Sequence, residues 1–290
     1  LQWWRCKIFY DGKKAWLKNK FFYKNCIFFI FRVIILLMAF RKFTIYDFKR
    51  FAMLVLNFMF GNGKCCVCGN STFNGKICIS CSKKLYDEAE NSHCEKCRIC
   101  GKSLISEEEI CMSCREERIL KNSDKVVPVF PYRLWAKTLL FEWKMQNQRN
   151  LSLLFAEICN SVIKKRISEN IFIVPVPPRP GKIRSRGWDQ IEELSEILKV
   201  KFGYKVLKLL ERTEKNQQKK LDRKKRLSSK GKIYTESKLL KRLSSENSLP
   251  EHVLLIDDVL TTGVTVESCC EILKNAGISK VDVLSLFVVD

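Results

Sequence analysis

Asp257 and Asp258 stand side by side after an apolar run, residues 253–256, and Thr261, Thr262, Gly263, Val264 and Thr265 follow within a few positions. Four apolar residues without alternation read as a buried parallel strand. That reading puts the acids at the strand's carboxyl end, where open α/β sheets bind their ligands. Glycine and small hydroxyl residues in the next turn let backbone amides come close to a phosphate. A helix beginning near Thr265 adds the partial positive charge of its N-terminus, and the hydroxyls of Thr261, Thr262 and Thr265 can donate further bonds. The acids repel a phosphate and therefore need another partner. Vicinal hydroxyls of a ribose suit them, or a Mg2+ beside those hydroxyls. A sugar carrying a 5-phosphate satisfies both halves of the stretch. The plainer alternative is a strand, an ordinary capped helix and two solvated aspartates.

A second constellation is built from cysteine. Eight of the 15 cysteines form the pairs Cys65/Cys68, Cys78/Cys81, Cys97/Cys100 and Cys111/Cys114, each spaced Cys-x-x-Cys, as two successive units. Zinc takes four thiolates at the corners of a tetrahedron. A Cys-x-x-Cys turn presents two sulfurs, and a short hairpin can bring up the second pair. Gly69 and Gly101 follow the second cysteine of a turn, where φ > 0 can be needed. Both quartets are complete, which favours two structural zincs over catalytic ones, since a catalytic site keeps a position open. With few apolar residues between 61 and 120, zinc would supply most of the folding free energy there, roughly 10–16 kcal/mol per site. Its removal is expected to unfold this module and leave the rest intact. Cys66, His93 and Cys94 leave a ligand swap open. The spacing points to a reducing cytoplasm, with a disulfide scaffold as the alternative.

Cations gather elsewhere. Residues 175–186 follow a short apolar run and hold Arg179, Lys182, Arg184 and Arg186. A basic proline-rich surface loop is the plain alternative. Residues 212–232 carry ten Lys/Arg, among them Arg212, Lys219, Lys220, Arg223, Lys224, Lys225 and Arg226, against two acids. Such a run is either solvated or neutralises nucleic-acid phosphates. Phe141, Trp143 and Trp188, interleaved with Lys144, Arg149 and Arg186, could stack bases, although burial is expected for at least two of the three. Histidine catalysis is not expected, since His93 and His252 are the only histidines.

These residues must be positioned by alternating elements. Helices are expected over 134–149, 151–166, 188–200 (capped near Asp189) and 265–276, the last ended by Gly277. Strands are expected over 172–177, 253–256 and 280–289, with a short apolar run at 206–210. The alternation predicts a parallel α/β sheet with helices on both faces. Three segments follow: an apolar and basic extension (1–60), the cysteine module (61–120) and the α/β domain (121–290). The net charge of +22 is shared unevenly, +10, 0 and +12 over these segments. A bias of that size calls for a polyanionic partner. Residues 27–40 are apolar around Arg32 and too short for a bilayer, which takes about 20 residues. No small-residue cleavage site follows. Two readings stay open: a membrane-surface helix over 27–43, or a start placed too early, the chain beginning with Leu1.

Residues 253–265 resemble the ribose-5-phosphate signature of type I phosphoribosyltransferases. A longer resemblance, over about 61–290, is to the ComF family. It rests on the double zinc ribbon, Phe141-Glu142-Trp143-Lys144, Val174-Pro175-Val176-Pro177, Arg186-Gly187-Trp188-Asp189-Gln190, Arg212-Thr213 with Gln217 and Leu221, and the signature itself. The resemblance implies a type I phosphoribosyltransferase fold behind a small double zinc ribbon. It also implies pentosyl transfer or binding of 5-phosphoribosyl diphosphate with Mg2+. Asp257 and Asp258 would be the catalytic acids on the ribose, 261–265 the 5-phosphate loop, 178–186 the diphosphate loop and 212–232 a hood. The family's role is DNA uptake in natural competence. That implies single-stranded DNA and a DNA-uptake helicase or other competence protein as partners, in the cytoplasm or at its membrane. A metabolic amidophosphoribosyltransferase or nucleobase enzyme without a DNA role is the other reading. The sequence departs from the pattern at Asp189, where the family usually has Asn, and near Ser229, where it usually has a second Asn. An acid at 189 is expected to repel a diphosphate unless Mg2+ or a lysine intervenes.

Overall fold

A computed structural model of the protein describes residues 63–72, 77–90, 95–168, 170–212 and 233–289. The extension at 1–60, His93, Cys94, Lys219, Lys220, Arg223, Lys224, Lys225 and Arg226 lie outside the described residues. The elements begin with β1 (Gly63–Lys64), β2 (Ser71–Thr72), α1 (Ile79–Glu90) and α2 (Met112–Glu116). Then come β3 (Lys125–Pro131), α3 (Trp135–Lys144), α4 (Asn150–Arg166), β4 (Phe172–Pro175), α5 (Lys182–Arg186), α6 (Gln190–Phe202) and β5 (Lys205–Val206). The chain continues with β6 (Leu210–Arg212), β7 (Tyr234–Glu236), α7 (Lys238–Ser245), β8 (His252–Leu260), α8 (Val264–Asn275) and β9 (Lys280–Val288).

Five parallel strands form the expected sheet, in the order β3-β9-β8-β4-β5. The connection β4–α6–β5 leads toward one edge and β8–α8–β9 toward the other. Right-handed crossovers therefore place α6 and α8 on opposite faces. Val253 and Leu255 of β8 pack in one core cluster with Val266, Cys269, Cys270 and Leu273 of α8. Leu254 and Ile256, equally buried, turn to the other face by the two-residue strand period. Burial on both faces is why the run does not alternate. Between β4 and β8 the direction of winding reverses, the place where such sheets bind ligands.

Two details refine the expected arrangement. β8 does not stop at Ile256, because β9 continues to pair with it through Asp257↔Ser285, Val259↔Phe287 and Leu260↔Val288. The two acids thus lie inside a strand and, being adjacent, project to opposite faces. β4 leaves after Pro175↔Ile256 and one further bond, Val176 N–H to Ile256 C=O at 3.0 Å. Pro177 and Pro178 have no N–H with which to extend that ladder. The acids therefore stand where β8 has lost its neighbour on one side. Elements not expected from the sequence include α1, α2, β3, α5, α7 and β7. The last pairs antiparallel with β6, Leu210↔Glu236 and Arg212↔Tyr234, and so brackets the basic segment.

The cysteine units repeat each other in backbone geometry. In each, the first cysteine's carbonyl accepts from the glycine four positions on, Gly69 N–H to Cys65 C=O and Gly101 N–H to Cys97 C=O, both at 2.8 Å. Both glycines have positive φ, 75° and 72°. The second pair of each unit comes from the start of a helix, α1 or α2, not from a hairpin.

The units pack against the α/β domain. Helix α1 docks on α4, with Tyr86 donating to Glu157 at 2.8 Å and Arg166 to the Ala89 carbonyl at 2.9 Å. Cys97, Cys100, Leu104, Cys111 and Leu120 lie in the same cluster as Val126, Val281 and α8. They cover one sheet face because the second unit has no apolar core of its own. A Cβ placed on Gly101 would lie 2.3 Å from Pro128 and 2.8 Å from the Val126 carbonyl. Gly101→Ala is accordingly expected to destabilise the whole fold by about 2–4 kcal/mol, from overpacking and from strain at positive φ. Urea unfolding followed by tryptophan fluorescence measures it. A change within about 0.5 kcal/mol, typical of a neutral surface site, would show that the second unit is not seated on β3.

Candidate functional site

The loops after β8 and β4 leave the carboxyl ends of two neighbouring parallel strands. Gly263, at φ 85°, makes the turn that starts α8. Among the described residues nothing accepts from the amides of Thr261, Thr262 or Gly263, and Thr261 and Thr262 are exposed. Three unclaimed N–H groups at the N-terminus of a twelve-residue helix can bind an anion. Thr265, in the first turn, is within hydrogen-bonding reach of the Tyr234 hydroxyl of β7.

The acids differ in environment. Asp258 accepts from Lys144, the last residue of α3, at 2.7 Å. The Asp257 carboxylate accepts the Asp258 amide at 2.8 Å and, among the described residues, meets no cation directly. Burial, and then the charge of Asp258, push Asp257 up to about 7. A second hydrogen-bond donor or a cation on this carboxylate would relieve that cost, and both are what a ribose or a hard metal ion offers.

The loop after β4 divides into two groups of cations. Lys182 bonds Asp189 and, at 2.6 Å, Gln190. Asp189 is only 5% exposed and caps α6, accepting from Ile191 N–H at 2.9 Å and Glu192 N–H at 3.1 Å. The expected repulsion at this departure from the ComF pattern is thus met by a lysine. Arg186 is also engaged, with the Lys144 carbonyl and, at 3.0 Å, with Asn147. The guanidinium groups of Arg179 and Arg184 have no partner among the described residues. They line a cavity of about 590 Å³ with Lys208, Arg212 and Ser237. Arg212 lies over the Tyr234 ring, 5.2 Å from its centroid. The structure therefore brings Arg179, Arg184 and Arg212 to the lining of one cavity and uses Lys182 and Arg186 as scaffolding.

Of the aromatic residues, Trp143 and Trp188 are buried and Phe141 is half exposed. Arg149 pairs with Glu193 at 2.6 Å and covers Trp188. His252 pairs with the buried Asp282 at 2.9 Å. The sequence reading placed Lys144 beside the stacking aromatics and within the segment Phe141-Glu142-Trp143-Lys144, but did not assign it to the acid it meets in the structure, Asp258.

Each cysteine quartet gathers its sulfurs within 4.8 Å of one another. Cys68 and Cys78, and likewise Cys100 and Cys111, are 3.7 Å apart. A disulfide needs about 2.05 Å, whereas the edge of a tetrahedron with Zn–S of about 2.3 Å is close to 3.8 Å. Soft thiolate donors at this spacing fit zinc. Burial opposes ionisation of Cys65 and Cys97. Backbone amides outweigh it, those of Cys68, Cys78 and Val67 bringing Cys65 to about 6, and those of Cys100, Cys111 and Ile99 bringing Cys97 to about 7. Each site thus has one thiol ready to ionise near neutrality. Cys66 is not among the four ligands of the first quartet.

A five-stranded parallel sheet, a phosphate-type loop at its switch point and two preceding cysteine quartets are the arrangement expected of a phosphoribosyltransferase-type fold behind two zinc-ribbon-like units. The phosphoribosyl transferase family model matches residues 190–288, so the loop after β4 lies outside the matched part. The chain is 29% identical over 158 residues to Competence protein ComFC of Streptococcus pneumoniae, covering 54% of this chain and 66% of that protein. It is 25% identical over 235 residues to Competence protein F of Haemophilus influenzae, covering 78% of this chain and 97% of the relative. The resemblance to the ComF family rests on these together with the two quartets. Among the described residues no helix is long and apolar enough to cross a membrane.

Proposed function

We propose that the protein binds 5-phosphoribosyl diphosphate between the loops after β8 and β4 and serves DNA uptake in competence. The observation that carries the first part is the set of unclaimed amides at Thr261, Thr262 and Gly263, beside two carboxylates on the open flank of β8. The amides take the 5-phosphate and the carboxylates take the ribose hydroxyls. Arg179, Arg184 and Arg212 face the diphosphate. Mg2+ accompanies that diphosphate, and the carboxylate oxygens of Asp257 and Asp258 suit it as hard ligands. The quartets hold structural zinc.

The competence role draws support from the names of both relatives and from the basic excess at 212–232, which is larger than one diphosphate requires. Single-stranded DNA and a competence protein such as an uptake helicase are the proposed partners. Reversing Lys219, Lys220, Lys224 and Lys225 to Glu is expected to weaken single-stranded DNA binding. It should also flatten the plot of log affinity against log salt by about 0.7 per lost phosphate contact. Affinity for the phosphoribosyl ligand should change less, because its ribose and 5-phosphate are held by other residues. Anisotropy at several salt concentrations, beside calorimetry with the ligand, decides the matter. An unchanged salt slope would remove the nucleic-acid role of this segment.

A second reading, phosphoribosyl transfer to an acceptor, is favoured by the cavity of about 590 Å³ beside the loop after β4. In that reading an acceptor nucleophile displaces diphosphate from C1 of the ribose. The chain's part is positioning and stabilisation of the departing charge. Loss of ligand affinity without loss of DNA affinity in the reversed variant would favour it.

A further inference from the structure

We infer that residues 118–122, which leave the second cysteine quartet, form a strut that seats the phosphate loop, with Glu267 as the positioning residue. Metal held by that quartet and a phosphoribosyl ligand on the loop are thereby coupled. The inference rests on the reading of 261–265 as a phosphate loop.

Two contacts, one apolar and one polar, make the strut. Leu120 is only 4% exposed, and its Cγ and Cδ2 lie 3.2 and 3.1 Å from where a Cβ on Gly263 would be. A side chain from the linker therefore packs on the loop where an added Cβ would be held tighter than ordinary contact and where the positive φ favours glycine. The Glu267 carboxylate, in the first turn of α8, accepts from Lys121 N–H at 2.8 Å, Asn122 N–H at 3.1 Å and the Asn122 side-chain amide at 2.7 Å. A carboxylate so near an anion site raises the cost of binding an anion unless its charge is already committed. Here both oxygens are occupied by N–H donors of a segment some 145 positions away in sequence. Glu267 thus fixes the register of α8's first turn, and with it the amides just before that turn.

The strut is continuous with the metal site. Arg115 N–H bonds the Cys111 carbonyl at 3.1 Å, and the Arg115 side chain bonds the Ile110 carbonyl at 2.8 Å. Cys97, Cys100, Cys111 and Leu120 share one packed cluster with Val266, Cys269 and Cys270 of α8. Among the described residues the first quartet has no comparable contact: its helix docks on α4, behind the other face of the sheet. Only the second metal should therefore sense the ligand. Coupling of binding equilibria is reciprocal, so it can be read from either end.

The test uses the full zinc-loaded chain. Zinc transfer to a chromogenic chelator is followed with and without 5-phosphoribosyl diphosphate and Mg2+, and ligand affinity is measured by calorimetry. In the wild type the ligand should slow release of one zinc of the two, several-fold. Glu267→Ala should keep both zincs, bind the ligand about tenfold more weakly and release zinc at a rate the ligand no longer changes. Glu267→Gln, which retains an acceptor oxygen, should recover part of both effects. Should Glu267→Ala fold poorly, Asn122→Ala removes one bond and should shift both readouts the same way by less. If the wild type binds ligand and the variants match it in affinity and in zinc protection, the strut is wrong and the phosphate loop stands. If ligand slows release of both zincs equally, the coupling is global and the strut is again wrong. If the wild type does not bind ligand at all, the reading of 261–265 fails and this inference fails with it.

Discussion

Asp257→Asn combined with Asp258→Asn is expected to lower affinity for 5-phosphoribosyl diphosphate with Mg2+ at least a hundredfold. A hydrogen bond to a charged group contributes about 1.5–3 kcal/mol, and both acids are proposed to contact the ribose. The two positions are neighbours, so their effects need not add. Stability should move differently from affinity. In the ligand-free protein Asp257 titrates near 7, above its ordinary value of 3.8, because of burial and the charge of Asp258. A carboxyl with a raised folded-state pKa costs nothing below about pH 4, costs progressively more between about 4 and 7, and costs its full amount above 7. Asn carries no such cost. Asp257→Asn alone should therefore stabilise the ligand-free protein above pH 7, by about 1–2 kcal/mol after discounting for solvent screening, and match the wild type near pH 4. Asp258→Asn alone should lose the pairing with Lys144, about 1 kcal/mol for a partly exposed pair. Calorimetric titration at pH 7.5 and denaturant curves at pH 4.5 and 8 separate the two effects. A folded double variant with wild-type affinity would show that the ligand binds elsewhere.

Why these acids carry a stability cost bears on how much the sequence could reveal. Residues 253–265 were legible because burial on both faces of β8 leaves an unbroken apolar run, and because acids followed by Thr-Thr-Gly are chemically specific. The strand's true end was not legible, since Leu260 is held in the ladder by Val288, a partner far along the chain. β3 was missed for a different reason. Its sequence, KVVPVFP, contains Pro128 and ends in Pro131, which argues against a strand. β3 is an edge strand, however, where a proline costs no interior ladder bond. Helix α7 (Lys238–Ser245) lies between the basic run at 212–232 and β8, in a stretch to which the sequence pattern assigned no element. The bonds Lys182–Asp189 and Lys144–Asp258 could not be read either. Spacing indicates which cations are near an anion site, but only the fold indicates which of them a neighbouring carboxylate has already claimed. The same applies to Glu267, whose three donors come from a linker in another part of the chain.

The quartets, alike in sequence, are expected to behave unequally. The intact chain should contain about two zinc ions. Cys65→Ser with Cys78→Ser should reduce that to one and leave most of the fold, since α1 buries only Cys81, Leu85 and Ala89 and meets α4 through bonds such as Tyr86 to Glu157 and Arg166 to the Ala89 carbonyl. Cys97→Ser with Cys111→Ser should also leave one zinc but cost far more. In the second unit three cysteines and Leu104 and Leu120 are buried in the cluster that covers Val126, Val253, Val281 and Val283. Without metal, four thiols 3.7–4.8 Å apart have no common partner, and the segment that covers this sheet face is released. A structural zinc is worth roughly 10–16 kcal/mol in isolated ribbons. Even if only about 5 kcal/mol of that is transmitted to the sheet, the melting temperature should fall by roughly 10–20 °C for a domain of this size. The first variant should fall by only a few degrees. Elemental analysis with calorimetric melting tests the pair. Equal falls in both variants would mean that the second unit does not roof the sheet. A wild-type chain without zinc, its Cys-x-x-Cys pairs oxidised, would contradict the sulfur spacing itself, which is too wide for disulfides and close to the edge of a zinc tetrahedron.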